Sequence, residues 1–317
     1  MSPAVLITGA NGFVGRHLQQ TLADLGIAYR AAVRRQTSPV DPREFVVSDV
    51  GPGTDWNAAL EGVNAVVHLA ARAHIVKETA RDPLVEFMRV NAEGTLRLAH
   101  AAVAAGVRRI IYLSSIGVLG NESGDSPFTN ASPPNPHNAY AESKLAGEVA
   151  VRTVSSQIEV VVVRVPLVYG TGVRANFYRL LRSVDEGLPL PLGAIHNRRS
   201  LVSVWNLCDL LSTTLRHPAA PGRNWLVSDG EDLSTPELIR RLARHMQRKA
   251  RLLPVPISVL NALGRLTGRQ GQITQLCGSL ALDITETQNE LGWRPPVPVD
   301  EGLRRTVSWY YSSGSGQ

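Results

Sequence analysis

Apolar residues in the first half of the chain recur in two alternating rhythms. Short, nearly unbroken runs of strand length are Ala4-Val5-Leu6-Ile7, Ala28 to Val33, Glu44 to Val47, Ala65-Val66-Val67-His68-Leu69, Ile110 to Leu113 and Glu159 to Val165. Strands buried on both faces need such runs. Between them lie stretches with helical spacing: Gly12 to Leu25, with Val14, Leu18, Leu22 and Leu25 on one face, then Pro83 to Ala105 and Ala139 to Val154. This alternation predicts an α/β fold, a doubly wound parallel sheet covered by helices on both sides. From about Pro166 the rhythm changes. Pro189, Pro191 and Gly193 crowd together, strands shorten, and helical stretches such as Thr235 to Arg248 stand isolated. Residues 1–166 therefore read as one domain and 167–311 as mainly a smaller α/β lobe, interleaved with the end of the sheet. Residues 312–317, Ser-Ser-Gly-Ser-Gly-Gln, read as a flexible tail.

Composition narrows the class. With 317 residues, 44% hydrophobic and 19% charged, the chain can build a real core and is too apolar for global disorder. The best apolar stretch, Leu252 to Leu266, is broken by Pro254, Pro256 and Arg265 and falls short of the ~18 residues of a membrane span. No membrane partner is expected. Lys plus Arg number 33 and Asp plus Glu 27, a mild net charge of +6 for this length. Without basic runs interleaved with aromatics, no nucleic acid is expected either. Cys208 and Cys277 lie far apart without metal-ligand spacing, so they read as small buried hydrophobes in a reducing compartment, and no metal site is expected. A glycine motif beginning at Thr8 leaves no room for a leader, so the expected location is cytoplasmic.

That motif is Thr8-Gly9-Ala10-Asn11-Gly12-Phe13-Val14-Gly15, between the first strand and first helix. Gly9 permits the tight turn, Gly12 lets backbone approach a pyrophosphate, and Gly15 lets the helix pack against the strand. The helix N-terminus then offers free N–H groups and a positive dipole to phosphate. Opening a strand–helix–strand unit, the loop makes residues 1–166 a Rossmann dinucleotide-binding domain. At the end of the second strand a carboxylate would pair with a ribose 2′-OH, whereas arginine accommodates a 2′-phosphate. The chain has Arg34 and Arg35 there and no acid before Asp41, which favours NADP(H) over NAD(H).

The chemistry points to Tyr140-Ala141-Glu142-Ser143-Lys144. Positions i and i+4 share a helix face, so the ammonium is expected beside the phenol, favouring its ionised form below the usual ~10. A tyrosine so placed can exchange a proton with a carbinol or ketone while a nicotinamide exchanges the hydride. Ser114-Ser115 closes the fifth strand at the carboxyl end of the sheet, where open α/β sheets bind ligands.

The GxxGxxG spacing, the YxxxK pair and the Ser114-Ser115-Ile116-Gly117-Val118-Leu119-Gly120 segment together resemble the extended short-chain dehydrogenase/reductases, the NAD-dependent epimerase/dehydratase family. The resemblance covers nearly the whole chain. It is closest to bacterial surface-polysaccharide enzymes, the UDP-sugar 4-ketoreductases and 4-epimerases. It implies a catalytic triad in which Ser115 bonds the reacting oxygen, Tyr140 is the acid/base, and Lys144 tunes Tyr140 and holds the nicotinamide ribose. It places Gly9, Asn11, Gly12, Phe13, Val14 and Gly15 on the cofactor. Asp49 and Val50 go to the adenine, Leu69, Ala70 and Ala71 to the central part, and Asn91 to the central helix. Pro166 belongs to the segment leading from cofactor to substrate, in Val163 to Gly170. Asn176 and Arg199 match residues that hold a nucleotide diphosphate, and Leu192 lies in the run beside the base. Leu119 replaces the family's usual aromatic.

Sugar 4,6-dehydratases carry an Asp-Glu pair after the catalytic hydroxyl; here those positions are Ile116 and Gly117, so a dehydratase is not expected. What the resemblance implies is redox at C4 of a UDP-linked hexose. The first expectation is NADPH-dependent reduction of a UDP-4-keto-6-deoxy-N-acetylhexosamine, giving UDP-N-acetylquinovosamine. The rivals are a 4-epimerase recycling bound NAD, a steroid- or flavonoid-type ketoreductase, and a non-catalytic NADP sensor. A homodimer is expected by resemblance alone. His74 and His137 lie near the expected pocket in sequence, where solvated or capping roles are expected ahead of proton donation.

Overall fold

The computed structural model of the chain describes residues 4–37, 39, 41–47, 49–73, 82–268 and 270–314. In chain order the first half forms β1 (Ala4–Thr8), α1 (Phe13–Asp24), β2 (Tyr29–Val33), β3 (Glu44–Val46), the single turn α2 (Asn57–Leu60) and β4 (Val63–His68). There follow α3 (Pro83–Met88), a π-helical turn at Arg89–Glu93, α4 (Gly94–Ala104), β5 (Arg109–Ser115), a 3-10 turn at Ile116–Val118, α5 (Ala139–Arg152) and β6 (Glu159–Val165). The second half adds β7 (Leu167–Tyr169), α6 (Ala175–Asp185), β8 (Arg199–Ser203), α7 (Val204–Thr214), β9 (Asn224–Leu226) and β10 (Asp232–Leu233). It ends with α8 (Thr235–His245), α9 (Ile257–Leu266), α10 (Gln270–Cys277), α11 (Thr285–Glu290) and α12 (Val299–Gly314).

Seven strands pair in the order β3-β2-β1-β4-β5-β6-β9, each neighbouring pair parallel. The first six places are the Rossmann order, with the strand-order reversal between β1 and β4. Alternate residues of each strand feed opposite cores. Val5, Ile7, Val67, Ile111 and Val161 pack on one face with Leu18 and Leu22 of α1 and Leu207 and Leu211 of α7. Leu6, Val66, Ile110 and Val160 pack on the other with Leu98 and Ala102 of α4 and Val151 of α5. This two-sided burial explains why the strands read as continuous apolar runs.

The sheet's last strand, β9, comes from the second half, so the two halves interleave. Helices α6, α8, α9 and α12 contribute to a separate core that includes Tyr169, Phe177, Leu181, Leu242, Leu260 and Leu303. A small sheet, β10-β8-β7, joins it. Phe13 packs against both this core and the sheet's. Two expectations change. The helix expected over Pro83 to Ala105 is divided by the π-helical turn at Arg89–Glu93. Ser312, Ser313 and Gly314, expected in a flexible tail, belong to α12 instead; residues 315–317 lie outside the described ones.

Candidate active site

Thr8, His68 and Ala70 knit the carboxyl ends of β1 and β4 together. Thr8 Oγ1 bonds His68 Nδ1 at 2.6 Å and accepts from the Ala70 N–H at 3.1 Å, while His68 Nε2 meets Thr95 Oγ1 at 3.1 Å. His68 is fully buried; desolvation, with Lys144 nearby, holds its imidazole neutral down to about 3. Against this rigid edge sits the glycine loop. Gly9 has φ +66°, and a Cβ there would lie 2.8 Å from the Ala70 nitrogen. At Gly15 a Cβ would lie 2.3 Å from the Gly9 carbonyl oxygen. Neither position tolerates a side chain. Gly12 caps α1 without any side-chain bond to the first turn, whose N–H groups point toward the loop. The cradle therefore fits a dinucleotide pyrophosphate.

The remaining cofactor candidates line the same carboxyl edge. Leu69, Ala70 and Ala71 follow β4 directly and are half-buried, and Pro166 follows β6. Asn91 sits in the π-helical turn with its side chain fully engaged: Oδ1 accepts from the Arg72 N–H at 2.8 Å, and Nδ2 donates to Arg72 O and Ser143 Oγ. Val50 packs above Gly94, where a Cβ would come within 2.7 Å of it. Arg34 and Arg35 are exposed at the end of β2, and Arg34 Nη1 stands 3.4 Å from Asp49 Oδ1. The residues expected at the adenine and at the ribose 2′ position thus meet. Asn11 is exposed, and Phe13 and Val14 are half-buried at the start of α1.

Two elements, β5 and α5, carry Ser115, Tyr140 and Lys144. Ser115 ends β5 and caps the 3-10 turn, its Oγ accepting the Gly117 N–H at 3.1 Å. With its oxygen so occupied, the hydroxyl proton is free to donate outward. Asn138 caps α5 by accepting the Ala141 N–H at 2.9 Å, which fixes the turn carrying Tyr140. Burial pushes the Tyr140 phenol up to about 12, and hydrogen bonding with Ser115 offsets only part of that rise. Lys144 is 2% exposed, and burial pulls its ammonium down to about 7 against the opposing pull of Glu148. Here the sequence expectation is corrected. Lys144 Nζ lies 4.0 Å from the centre of the Tyr112 ring, a cation–π contact, and no hydrogen bond joins it to Tyr140 among the described residues. Burial therefore outweighs the expected lowering of the phenol.

Beneath the triad lies a buried ion pair that the sequence reading missed. Glu148 is fully buried and takes a two-pronged grip from Arg164, Nε to Oε1 at 2.9 Å and Nη2 to Oε2 at 2.7 Å. Burial raises its carboxyl, but Arg164 and Arg152 outweigh that and hold it below the usual range. The signal was present, since Lys144, Glu148 and Arg152 follow at helical intervals; the partner on β6 was not visible. Gly147 was also missed. A Cβ there would meet the Tyr112 hydroxyl at 2.1 Å and the Asn91 carbonyl at 2.4 Å, so glycine lets α5 settle onto the π-helical turn.

A cavity of about 560 Å³ opens just past Ser115, lined by Leu119, Gly120, Glu122, Phe128, His137 and Thr274 among others. Exposed His137 thus faces it, while His74 lies outside the described residues. Arg199 stands nearby, but Nη1 donates to the carbonyls of Gln275 at 2.6 Å and Gly278 at 2.9 Å, at the carboxyl end of α10. Burial lowers its pKa and Glu122 opposes that shift. Asn176 is exposed in the first turn of α6. Leu192, expected beside a nucleotide base, is 8% exposed and packs in the C-terminal core. The two cysteines are free, Cys208 buried and Cys277 half-buried.

Relatives share this frame. A Vibrio cholerae UDP-glucose 4-epimerase is 38% identical over 320 positions, spanning 99% of this chain and 98% of the relative. An Escherichia coli O157:H7 N-acetyl-α-D-glucosaminyl-diphospho-ditrans,octacis-undecaprenol 4-epimerase is 27% identical, spanning 98% and 96%. The solved structure of an Agrobacterium tumefaciens short-chain dehydrogenase/reductase superfamily protein with bound NAD superposes with TM-score 0.78 at 22% identity, over 98% of each chain. The profile of the NAD dependent epimerase/dehydratase family matches residues 5–228. With the Rossmann order, the glycine cradle and the Ser115–Tyr140–Lys144 cluster in place, the chain belongs to the NAD dependent epimerase/dehydratase family.

Proposed function

We propose that the protein is a nicotinamide-dependent oxidoreductase acting at C4 of a UDP-linked hexose, and that it reduces a 4-keto sugar with NADPH. The meeting of Ser115 with Tyr140, one helical turn before Lys144, at the carboxyl edge of the parallel sheet carries the redox reading, and a cavity lined by Leu119 and His137, close to them in sequence, supports it. When bound, the nicotinamide supplies a hydride to the carbonyl carbon. The Ser115 hydroxyl holds the carbonyl oxygen by a hydrogen bond and keeps its proton, with the Gly117 N–H fixing its orientation. Tyr140, protonated at neutral pH, delivers a proton to that oxygen as it gains charge, which suits the reducing direction. Lys144 holds positive charge at the base of the site, supported by the Tyr112 ring and by Glu148. Arg34 and Arg35 bind the 2′-phosphate of NADPH at the end of β2, and Glu122, His137 and Arg199 border the space for substrate.

A second reading, 4-epimerisation with bound NAD, is favoured by the 38% identity to the Vibrio cholerae 4-epimerase. One experiment separates them. The purified protein is given a UDP-4-keto-6-deoxy-N-acetylhexosamine with NADPH, and with NADH alongside. Rapid NADPH loss that stops in Tyr140→Phe establishes the reductase. No oxidation, with conversion of UDP-N-acetylglucosamine to its C4 epimer seen by NMR, establishes the epimerase instead.

A further inference from the structure

The net positive charge of the chain is not spread evenly. Residues 238–282 contain eight of the 33 Lys and Arg and none of the 27 Asp and Glu; the rest of the chain is slightly acidic. The same segment carries much of the exposed large apolar surface. In α9, Leu260 and Gly264 are buried, and a Cβ on Gly264 would lie 2.9 Å from Ile273 of α10, so this face is spent on packing. The opposite face is open: Val259 is 45% exposed, Leu263 51% and Leu266 84%. Their i, i+4, i+7 spacing puts them in one stripe, and Ala262 adds to it. Leu253 and Ile257, just before the stripe, are exposed as well.

Several cations of the same segment are uncommitted. Arg240, Arg241 and Arg248 pair with Glu237, Glu231, Asp300 and Asp185. Arg244, Lys249, Arg251 and Arg265 are exposed and form no ion pair among the described residues. An apolar helical stripe with unpaired Arg265 on its own helix, in a segment whose other exposed cations are unpaired too, matches an interface that is anionic and greasy at once. A second copy of the same face would bring like charges together. Nucleic acid would find no platform for its bases, since residues 238–282 hold no Phe, Tyr or Trp. We infer that α9 is a peripheral docking helix that lays its Val259–Leu263–Leu266 stripe into an anionic phospholipid surface, with Arg251 and Arg265 on the headgroups. No helix among the described residues is long and apolar enough to span a membrane, so docking would be superficial and salt-sensitive. Docking would also set the active-site cavity near the lipid, because α9 packs on α10 and Thr274 of α10 lines that cavity.

Docking at α9 requires no particular reaction at the triad, so it is tested by binding alone. The full chain is floated with phosphatidylcholine vesicles and with vesicles one-third phosphatidylglycerol. The expected result is recovery with the anionic vesicles only, lost in about 0.5 M salt. In Leu263→Glu/Leu266→Glu and in Arg251→Glu/Arg265→Glu, partitioning should fall roughly tenfold or more. Both pairs are exposed, and an unchanged thermal melt and coenzyme affinity would show an intact fold. Absence of binding to anionic vesicles overturns the proposal, as does equal binding by both variants. It is equally overturned if Leu263→Glu/Leu266→Glu converts a dimer to a monomer in sedimentation, since the stripe would then be a contact between copies.

Discussion

Burial pulls the two ionisable groups of the YxxxK motif apart, Tyr140 up to about 12 and Lys144 down to about 7. Their differing fates give distinct tests. Replacing Tyr140 by Phe removes the transferable proton but little volume, so kcat should fall by about two to four orders of magnitude with coenzyme affinity retained; stopped-flow turnover and fluorescence titration read the two separately. Glu148 holds Lys144 charged, so Glu148→Gln should move the Lys144 titration, and the alkaline limb of the pH–rate profile with it, to lower pH. The same change leaves Arg164 buried opposite an amide, at a cost of about 3–5 kcal/mol in thermal unfolding. Ser115, Tyr140 and Lys144 were legible in the sequence because each belongs to a short motif whose spacing carries its chemistry. What Lys144 touches was not legible. Its contact with the Tyr112 ring on β5 depends on how α5 packs against the sheet, which the spacing of the motif does not encode.

Among elements, α5 is the most constrained, since it carries Tyr140, Lys144 and Glu148 and also packs on the π-helical turn that presents Asn91. Gly147→Ala would force a Cβ into the space of the Tyr112 hydroxyl and the Asn91 carbonyl. The expected cost is about 1–3 kcal/mol, with weaker coenzyme binding because Asn91 is displaced; differential scanning calorimetry and a binding titration check both. The positions of β1 to β6 were legible to within a residue or two, because two-sided burial leaves an unbroken apolar signature. The π-helical turn was not, as its five residues carry the same apolar rhythm as the helices around it. Nor was β9, three residues long and isolated in a proline-rich stretch, where strand character comes from pairing with β6 rather than from its own composition.

Over the whole molecule, two buried groups set the response to acid. The folded His68 imidazole takes a proton only near pH 3, whereas an unfolded one does so near 6.5. Between those values the unfolded chain binds more protons, so stability drops as the pH is lowered, by up to about 1.4 kcal/mol per unit. Glu148, with its carboxyl held below the usual range, adds a contribution that is present above about 4.5 and lost on further acidification. Both act in the same direction. Thermal unfolding followed from pH 7 to pH 4 should show a steady loss, and His68→Asn should flatten its upper part. The interleaving of the two halves reaches further, into synthesis. Val162, Val163 and Arg164 of β6 wait for Asn224, Trp225 and Leu226, so at about 5–20 residues per second the β-branched edge of the nascent sheet stays bare for roughly 3–12 s. A ribosome pause in that interval, or a fragment ending at Pro166, would leave that edge open to pairing with another chain.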